Sequence, residues 1–152
     1  MEALRSNRME AFYVKNSAEA VELVKNLIPE GAMCRVGGSR TLHETGIIDL
    51  LENGNYNYCD SHVVPPEEVE KARREAFFAD YFLASANAIT EDGEIYNVDG
   101  AGTRVAPIIF GPQNVFLVAG TNKIVSDIAA AEDRLRNLAA PANAKRLGCK
   151  TP

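Results

Sequence analysis

The chain has 152 residues, a formal net charge of −5 at pH 7, and a composition that is 46% hydrophobic and 24% charged. This is the composition of an ordinary globular protein, and the length predicts one domain over residues 1–152. Scattered lysines and arginines in an acidic chain do not form the basic face that nucleic-acid binding requires. No apolar run approaches the ~18 residues of a membrane span, and the first residues lack a signal peptide's apolar region. We therefore expect a cytoplasmic protein with neither nucleic-acid nor membrane partners.

The cysteines and histidines predict neither a disulfide framework nor a metal site. Cys34, Cys59 and Cys149 are an odd number at wide spacings, without a C-x-x-C pair. Cys34 stands inside a predicted strand, where a small core residue is the simplest interpretation. His43 and His62 are isolated from other metal-ligand residue types, so we expect no metal bound by this chain.

Helices and short strands alternate along the first half of the chain. A helical pattern over about residues 1–10 comes first, and Asn16 then caps a second helix with an apolar stripe. The stretch Ala32–Val36 predicts a short buried strand that runs into a glycine turn. Thr41 and Glu44 have the spacing of a capping box, which predicts that the next helix begins at Thr41.

The second half continues the alternation and adds a hairpin. Its main predicted strands are Tyr56–Cys59, Tyr81–Ser85 and Val115–Ala119. A charged helix follows Pro65-Pro66, and Glu91-Asp92-Gly93 is a hairpin signal between two short strands. The last predicted helix, from about Ser126 to Ala139, ends before Pro141, and residues 141–152 form a C-terminal tail without a strong pattern.

Strands that alternate with helices through short turns predict a three-layer α/β fold, in which a mostly parallel sheet has helices on both faces. The hairpin adds one antiparallel element to this sheet. In such sheets ligands bind beyond the carboxyl ends of the strands. The turns Gly37–Arg40, Asp99–Arg104 and Gly120–Lys123 meet that condition.

The first of these turns has the features of an anion site. A strand that passes through glycines into a helix leaves backbone N–H groups unpaired at the positive end of the helix dipole. The candidate contacts are the backbone of Gly37 and Gly38 and the hydroxyls of Ser39 and Thr41. The alternative is an ordinary strand-to-helix turn, in which Thr41 serves only as a cap.

The other two turns supply further candidate ligand contacts. Lys123, next to Asn122, could meet an anion as a point charge or could be an ordinary solvated lysine. Arg104 has the same two interpretations, although its planar fork suits a carboxylate or a phosphate better. Gly100, in the turn before Arg104, is also a candidate contact.

Asp99 and Glu44 are weak candidates for catalysis. Asp99 could instead brace its own glycine turn, and Glu44 has the capping role. There is no G-x-S-x-G elbow, and Ser39 has no identifiable base partner. The chain also lacks the G-x-G-x-x-G of a dinucleotide fold, so autonomous oxidoreductase activity has little support and the question of catalysis stays open.

Four segments resemble those of the lactate-utilisation (LUD) domain family, formerly a domain of unknown function. They are VGGSRTLHETGIIDLL, SANAITEDGEIYNVDGAGTRVAPIIFGP, VFLVAGTNKIV and AAPANAKRL. They occur in the same order with compatible spacing, and the resemblance runs from about Met9 to Lys150. It implies the fold of the sugar-phosphate isomerases and coenzyme A transferases, in which a glycine-serine loop after a strand binds a phosphate or a carboxylate.

The resemblance also implies a function and partners. It implies an anion-binding accessory component of lactate oxidation to pyruvate, working beside iron–sulfur oxidoreductase subunits. An iron–sulfur cluster is expected only through such partners or through a cysteine-rich extension beyond Pro152. The alternatives are a transferase or isomerase for a phosphorylated or coenzyme A-linked substrate, and a scaffold for iron–sulfur partner subunits. A homo-oligomer is left open.

A more distant resemblance concerns the segment SANAITEDGEIYN. It is similar to the G-A-D…D-G…N segment of the methylthioribose-phosphate isomerase and initiation-factor group, whose aspartate is catalytic in the isomerases. Asn87 stands at that position. Because an amide is neither a general acid nor a general base at neutral pH, isomerase chemistry of this kind is disfavoured and Asn87 is at most a ligand contact.

Overall fold

The computed structural model describes residues 1–148, which form two compact units. The larger unit consists of Val14–Ser85 and Asp99–Ala119. The smaller unit consists of Met1–Tyr13, Ala86–Val98 and the chain from Gly120 onward. Each unit has its own β-sheet. The prediction of a single domain over the whole chain stays a prediction.

The elements are short. The strands are β1 (Met33–Val36), β2 (Asn57–Cys59), β3 (Tyr81–Ala84), β4 (Ala88–Thr90), β5 (Ile95–Tyr96), β6 (Asn114–Leu117) and β7 (Ile124–Val125). The helices are α1 (Glu2–Ser6), α2 (Ser17–Leu27), α3 (Arg40–Glu44), α4 (Ile47–Asn53), α5 (Val69–Glu75), α6 (Val105–Phe110), α7 (Ile128–Arg134) and α8 (Ala140–Leu147). Short 3₁₀ turns occupy Pro66–Glu68, Ala76–Phe78 and Thr121–Lys123. Within residues 1–148, no helix has the length and apolar character needed to cross a membrane.

The larger unit is built on a four-stranded parallel sheet with the order β2-β1-β3-β6. Successive strand residues point to opposite faces, so each strand contributes to two cores. On one face Cys34 and Leu83 pack with Leu42 and the helices α2 and α4. On the other face Phe82 packs with Ala76 and with helix α6. Helices thus cover both faces, and the predicted three-layer α/β fold is confirmed, as is the core position of Cys34.

The smaller unit contains the predicted hairpin. Strand β4 pairs antiparallel with β5 and parallel with β7. Gly93 in the hairpin turn has a φ of +80°, and a Cβ there would lie 2.5 Å from the carbonyl carbon of Ala3, so only glycine fits. The hairpin prediction is confirmed, but its expected place in the main sheet is wrong. Strand β3 ends at Ala84, and β4 pairs with β5 and β7 in a separate sheet.

The start of α3 differs from the prediction. Ser39, not Thr41, is the N-cap, and its hydroxyl accepts a hydrogen bond from the N–H of Leu42 at 3.3 Å. The helix therefore begins at Arg40. Both hydroxyl residues suit a cap, and the extended backbone of Ser39 decides between them. Gly46, with a φ of +81°, then separates α3 from α4, so the one predicted helix is two.

The two ends of the chain also differ from the prediction. Helix α1 is only five residues long, not about ten. The segment predicted as a tail is helical as far as Leu147, and Pro141 lies in the first turn of α8, where its missing N–H is tolerated. A π-helical segment, Leu135–Ala139, joins α7 to α8. Cys149 and the last three residues lie outside the described part.

Phe82 provides a test of the core. Its side chain is fully buried in the central strand, so Phe82→Ala should lower the free energy of unfolding by about 3–5 kcal/mol. Phe78, which is 81% exposed, is the matched control, and Phe78→Ala should change the free energy of unfolding by less than about 1 kcal/mol. Urea denaturation measures both values, and equal effects would contradict this packing.

Candidate functional site

A shallow pocket lies at the carboxyl ends of β1 and β2 in the larger unit. Its free space, including the open mouth, is about 300 Å³. It is lined by Arg35, Val36, Gly37, Gly38, Cys59, Ser61, His62, Ala72, Arg73, Ala76 and Thr103. Ala72 and Ala76, on α5 and just after it, are small side chains that leave this space open. The pocket is at the edge of the sheet where the topology predicts ligands.

Two arginines give the pocket its charge. Arg35 is only 6% exposed, and its Nη1 donates hydrogen bonds to the carbonyls of Cys34 and Asn57 at 2.9 and 2.8 Å. Its Nη2 is 3.9 Å from a carboxylate oxygen of Glu75. The Nε atoms of Arg35 and Arg73 are buried without a hydrogen-bond partner. A buried donor without an acceptor costs roughly 1–3 kcal/mol, and the described residues supply no acceptor for either of these two N–H groups.

The two glycines allow side chains to come close to the backbone. A Cβ on Gly37 would lie 2.8 Å from Cγ of Arg104. A Cβ on Gly38 would lie 2.9 Å from both Cε1 and Nε2 of His62. The N–H of Gly37 already donates to the carbonyl of Leu83 at 2.9 Å. Gly37 is thus needed chiefly for packing, whereas Gly38 faces the His62 ring in the pocket.

Asp60 and His62 form a hydrogen-bonded pair. One carboxylate oxygen of Asp60, Oδ1, accepts from the backbone N–H of His62 at 2.8 Å and from Nδ1 of its ring at 2.7 Å. Burial acts to raise the pKa of Asp60, but the side-chain and backbone hydrogen bonds from His62 outweigh it, and the pKa is lowered. An ionised carboxylate only accepts hydrogen bonds, so Nδ1 carries a proton and Nε2 of a neutral ring is an acceptor.

Asp99 and Arg104 hold the second glycine turn together. Asp99 accepts hydrogen bonds from the backbone N–H groups of Arg104 and Val105 at 2.7 and 2.8 Å, and from Nε of Arg104 at 3.1 Å. Arg104 also donates through Nη1 to the carbonyl of Ser85 at 2.7 Å. These contacts fit the interpretation that Asp99 braces its own turn. Gly100 in this turn is exposed, with open space where a Cβ would stand.

The other predicted residues of the first turn lie outside the pocket lining. Ser39 is the N-cap of α3, and the carbonyl of Thr41 accepts a hydrogen bond from the Thr45 hydroxyl at 2.8 Å. Glu44 is exposed and pairs with Arg40 at 2.6 Å. Because Ser39 caps the helix, the expected capping role of Glu44 is wrong.

Three predicted ligand contacts belong to the smaller unit. The Oδ1 atom of Asn87 accepts from the N–H of Val98 at 2.9 Å. Arg134 donates to the carbonyl of Asn87 at 2.5 Å and, through Nε, to that of Asn122 at 3.4 Å. The N–H of Lys123 donates to the carbonyl of Gly120 at 3.0 Å. Asn87 and Asn122 thus come together around Arg134.

The two arginines and the histidine of the pocket lining, Arg35, Arg73 and His62, were not predicted as site residues. Neither was Asp60, which lies behind the lining and holds His62. Asp60 and His62 follow the predicted strand Tyr56–Cys59, so the rule that selected the other turns also applies to them. Arg73 lies in a basic run that reads as a solvated helix face. The signal for Arg35 is a charged residue in the middle of an otherwise apolar strand.

The described cysteines do not suit an iron–sulfur cluster. Cys34 is fully buried, and its burial, followed by the nearby Asp80 carboxylate, raises the pKa of its thiol to about 11. Cys59, in the pocket wall, is in register with Arg35 and so lies on the opposite face of the sheet from Cys34. Over residues 1–148, no three His, Cys, Asp or Glu side chains are grouped so that they could hold a metal ion. This part of the chain therefore lacks a ligand set for such a cluster.

Comparison with known proteins gives one match. The sequence model of the LUD domain matches residues 1–152, which is the whole chain and includes every residue of the pocket. No curated protein and no solved structure matches the chain. The family match thus supports the sequence resemblance but adds no relative with a stated ligand.

The lowered pKa of Asp60 predicts a pH-dependent contribution to stability. A carboxyl group whose pKa is lower in the folded state stabilises the fold above its unfolded pKa of about 4. This contribution is lost as the pH falls through the lower folded pKa. Asp60→Asn should therefore be less stable than the wild type at pH 7, and the difference should shrink between about pH 4 and pH 2.

Urea denaturation at a series of pH values measures this difference. Asp92 is exposed in the hairpin turn, and Asp92→Asn is the matched control, which should show no such trend. A wild-type advantage over Asp60→Asn that stays constant down to pH 2 would contradict the ionised Asp60–His62 pair.

Proposed function

We propose that this chain, which belongs to the LUD domain family, binds a small anion and acts as an accessory component of lactate utilisation. The anion is a carboxylate or a phosphoester, and the process served is the oxidation of lactate to pyruvate. The observation that carries the binding step is the pair Arg35 and Arg73, which line one pocket with an Nε atom each that is buried and without an acceptor.

The composition of the pocket wall supports an anion over a cation or a neutral ligand. Among the described residues that line it, two are cationic and none is a carboxylate. The planar guanidinium fork matches a carboxylate or phosphate, and Ser61 and Thr103 add hydroxyl donors. Arg35 is almost completely buried, so its field is screened less than that of a surface arginine. These features favour an anion bound close to Arg35.

The size of the pocket supports a small ligand. Its free space of about 300 Å³ includes the open mouth, so the enclosed part is smaller than this. Such a space suits a molecule of a few heavy atoms and not a dinucleotide. Because the chain also lacks a dinucleotide motif, we assign the redox step of lactate oxidation to partner subunits and the binding of the anion to this chain.

The two alternatives have less support. For a transferase or isomerase, neither predicted catalytic residue gives support, because Asp99 is held by three hydrogen bonds and Glu44 pairs with Arg40 on an exposed helix. A scaffold that holds an iron–sulfur cluster itself would need a cysteine group that residues 1–148 do not provide. We therefore prefer the accessory anion-binding role.

Arg73 allows a direct test of the binding step. Titration with lactate, pyruvate and inorganic phosphate should stabilise the wild type, as measured by calorimetry and thermal shift. Arg73→Gln should weaken the binding of the preferred anion by about 10-fold to 100-fold, because a charge-assisted hydrogen bond contributes roughly 1.5–3 kcal/mol. Arg74→Gln is the matched control, since Arg74 is the next residue, is exposed and pairs with Glu70.

A second measurement uses the thiol in the pocket wall. In a Cys149→Ser background, the bound anion should slow the alkylation of Cys59, while buried Cys34 should stay unreactive in either case. Equal effects of Arg73→Gln and Arg74→Gln would contradict the proposed pocket. For the accessory role, a cell lacking this chain should regain growth on lactate with Arg74→Gln but not with Arg73→Gln.

A further inference from the structure

We infer that His62, held in place by Asp60, supplies a hydrogen-bond acceptor which makes the pocket selective for an anion with a hydroxyl group beside its charge. This inference rests on the proposed anion-binding function and assigns a specificity-determining role to His62. The role follows from where the ring is held, which of its nitrogens is free to accept, and what else lines the same pocket.

Asp60 fixes the ring. Its side chain is only 7% exposed, and its Oδ1 atom holds both the backbone N–H and the Nδ1 atom of His62. Two hydrogen bonds from consecutive parts of one residue leave the ring little rotational freedom. The His62 side chain itself is 44% exposed and lines the pocket. This is the usual arrangement of a carboxylate that orients an imidazole.

The edge of the ring that carries Cε1 and Nε2 lies close to the glycine turn. The position of a Cβ on Gly38 lies 2.9 Å from Nε2 and equally close to Cε1, and any larger residue there would displace the ring. His62 lines the pocket together with Arg35 and Arg73. The pocket thus combines cationic donors with one neutral acceptor, Nε2.

This combination determines the chemistry of the ligand. The guanidinium groups take a carboxylate or a phosphate, whereas Nε2 needs a hydrogen-bond donor. A hydroxyl next to the anionic group meets both requirements. A ligand that lacks it leaves Nε2 without a partner or holds a water there, and it should bind more weakly.

Calorimetry with matched ligand pairs tests the selectivity. At pH 8.5, the wild type should bind glycolate about 5-fold to 10-fold more tightly than acetate, or glycerol 3-phosphate more tightly than propyl phosphate. The pair that binds identifies a carboxylate or a phosphate ester as the anionic group. His62→Phe keeps a ring over Gly38 without the acceptor. In this variant the preference for the hydroxylated ligand should fall to about 1-fold, while the affinity for acetate or propyl phosphate should stay within about 3-fold of the wild-type value.

Variants of Asp60 separate orientation from simple packing. Asp60→Asn keeps an oxygen that can accept both hydrogen bonds and should retain the hydroxyl preference. Asp60→Ala releases the ring and should lose it. The ¹⁵N NMR signals of the free protein should show a proton on Nδ1 of His62, with His62→Phe used for assignment. This NMR measurement needs no ligand and remains informative if a variant is unstable.

Three results would overturn the inference. They are equal binding of both members of each pair by the wild type, a proton on Nε2 in the free protein, and a hydroxyl preference that survives in His62→Phe. If anions bind and Arg73→Gln weakens them but no hydroxyl preference exists, the role of His62 fails while the proposed function stands. If the wild type binds none of the anions, both fail.

Discussion

The burial of one guanidinium group shapes the larger unit. Arg35 lies in a central strand, and a charge in that position must find partners or destabilise the fold. Its Nη1 donates hydrogen bonds to two backbone carbonyls, its Nη2 lies near Glu75, and its Nε has no acceptor. Ala72 and Ala76 do not fill the adjacent space. The pocket thus lies where this buried cation meets the carboxyl ends of β1 and β2.

The glycines gain a different meaning from this arrangement. In the sequence they suggest backbone N–H groups that bind an anion. In the structure, the N–H of Gly37 donates to the carbonyl of Leu83, and Gly37 lies against Arg104. Gly38 gives room to the imidazole of His62. In the proposed site the positive charge belongs to arginine side chains, and the glycines allow neighbouring side chains to come close to the backbone.

Local patterns predict much of the fold but only part of the site. The alternation of strands and helices predicts the layered sheet, and apolar strand residues such as Cys34 and Leu83 predict its core. The choice of Ser39 over Thr41 as cap depends on backbone angles that the sequence does not show. The pairing of His62 with Gly38 depends on two strands lying side by side, which joins residues 24 positions apart. Arg73 looks like its exposed neighbour Arg74, and only the packing of α5 distinguishes them.

The π-helical segment Leu135–Ala139 has a consequence for the C-terminal helix. A π turn uses about one residue more than an α turn, and one residue of an α-helix corresponds to about 100° of rotation. Helix α8 therefore emerges with its faces turned relative to a straight continuation of α7. Insertion or deletion of a single residue between Arg134 and Ala140 would thus change which side chains α8 exposes before it noticeably changed the helix length. The number of residues in this segment therefore sets which face of α8 is turned outward.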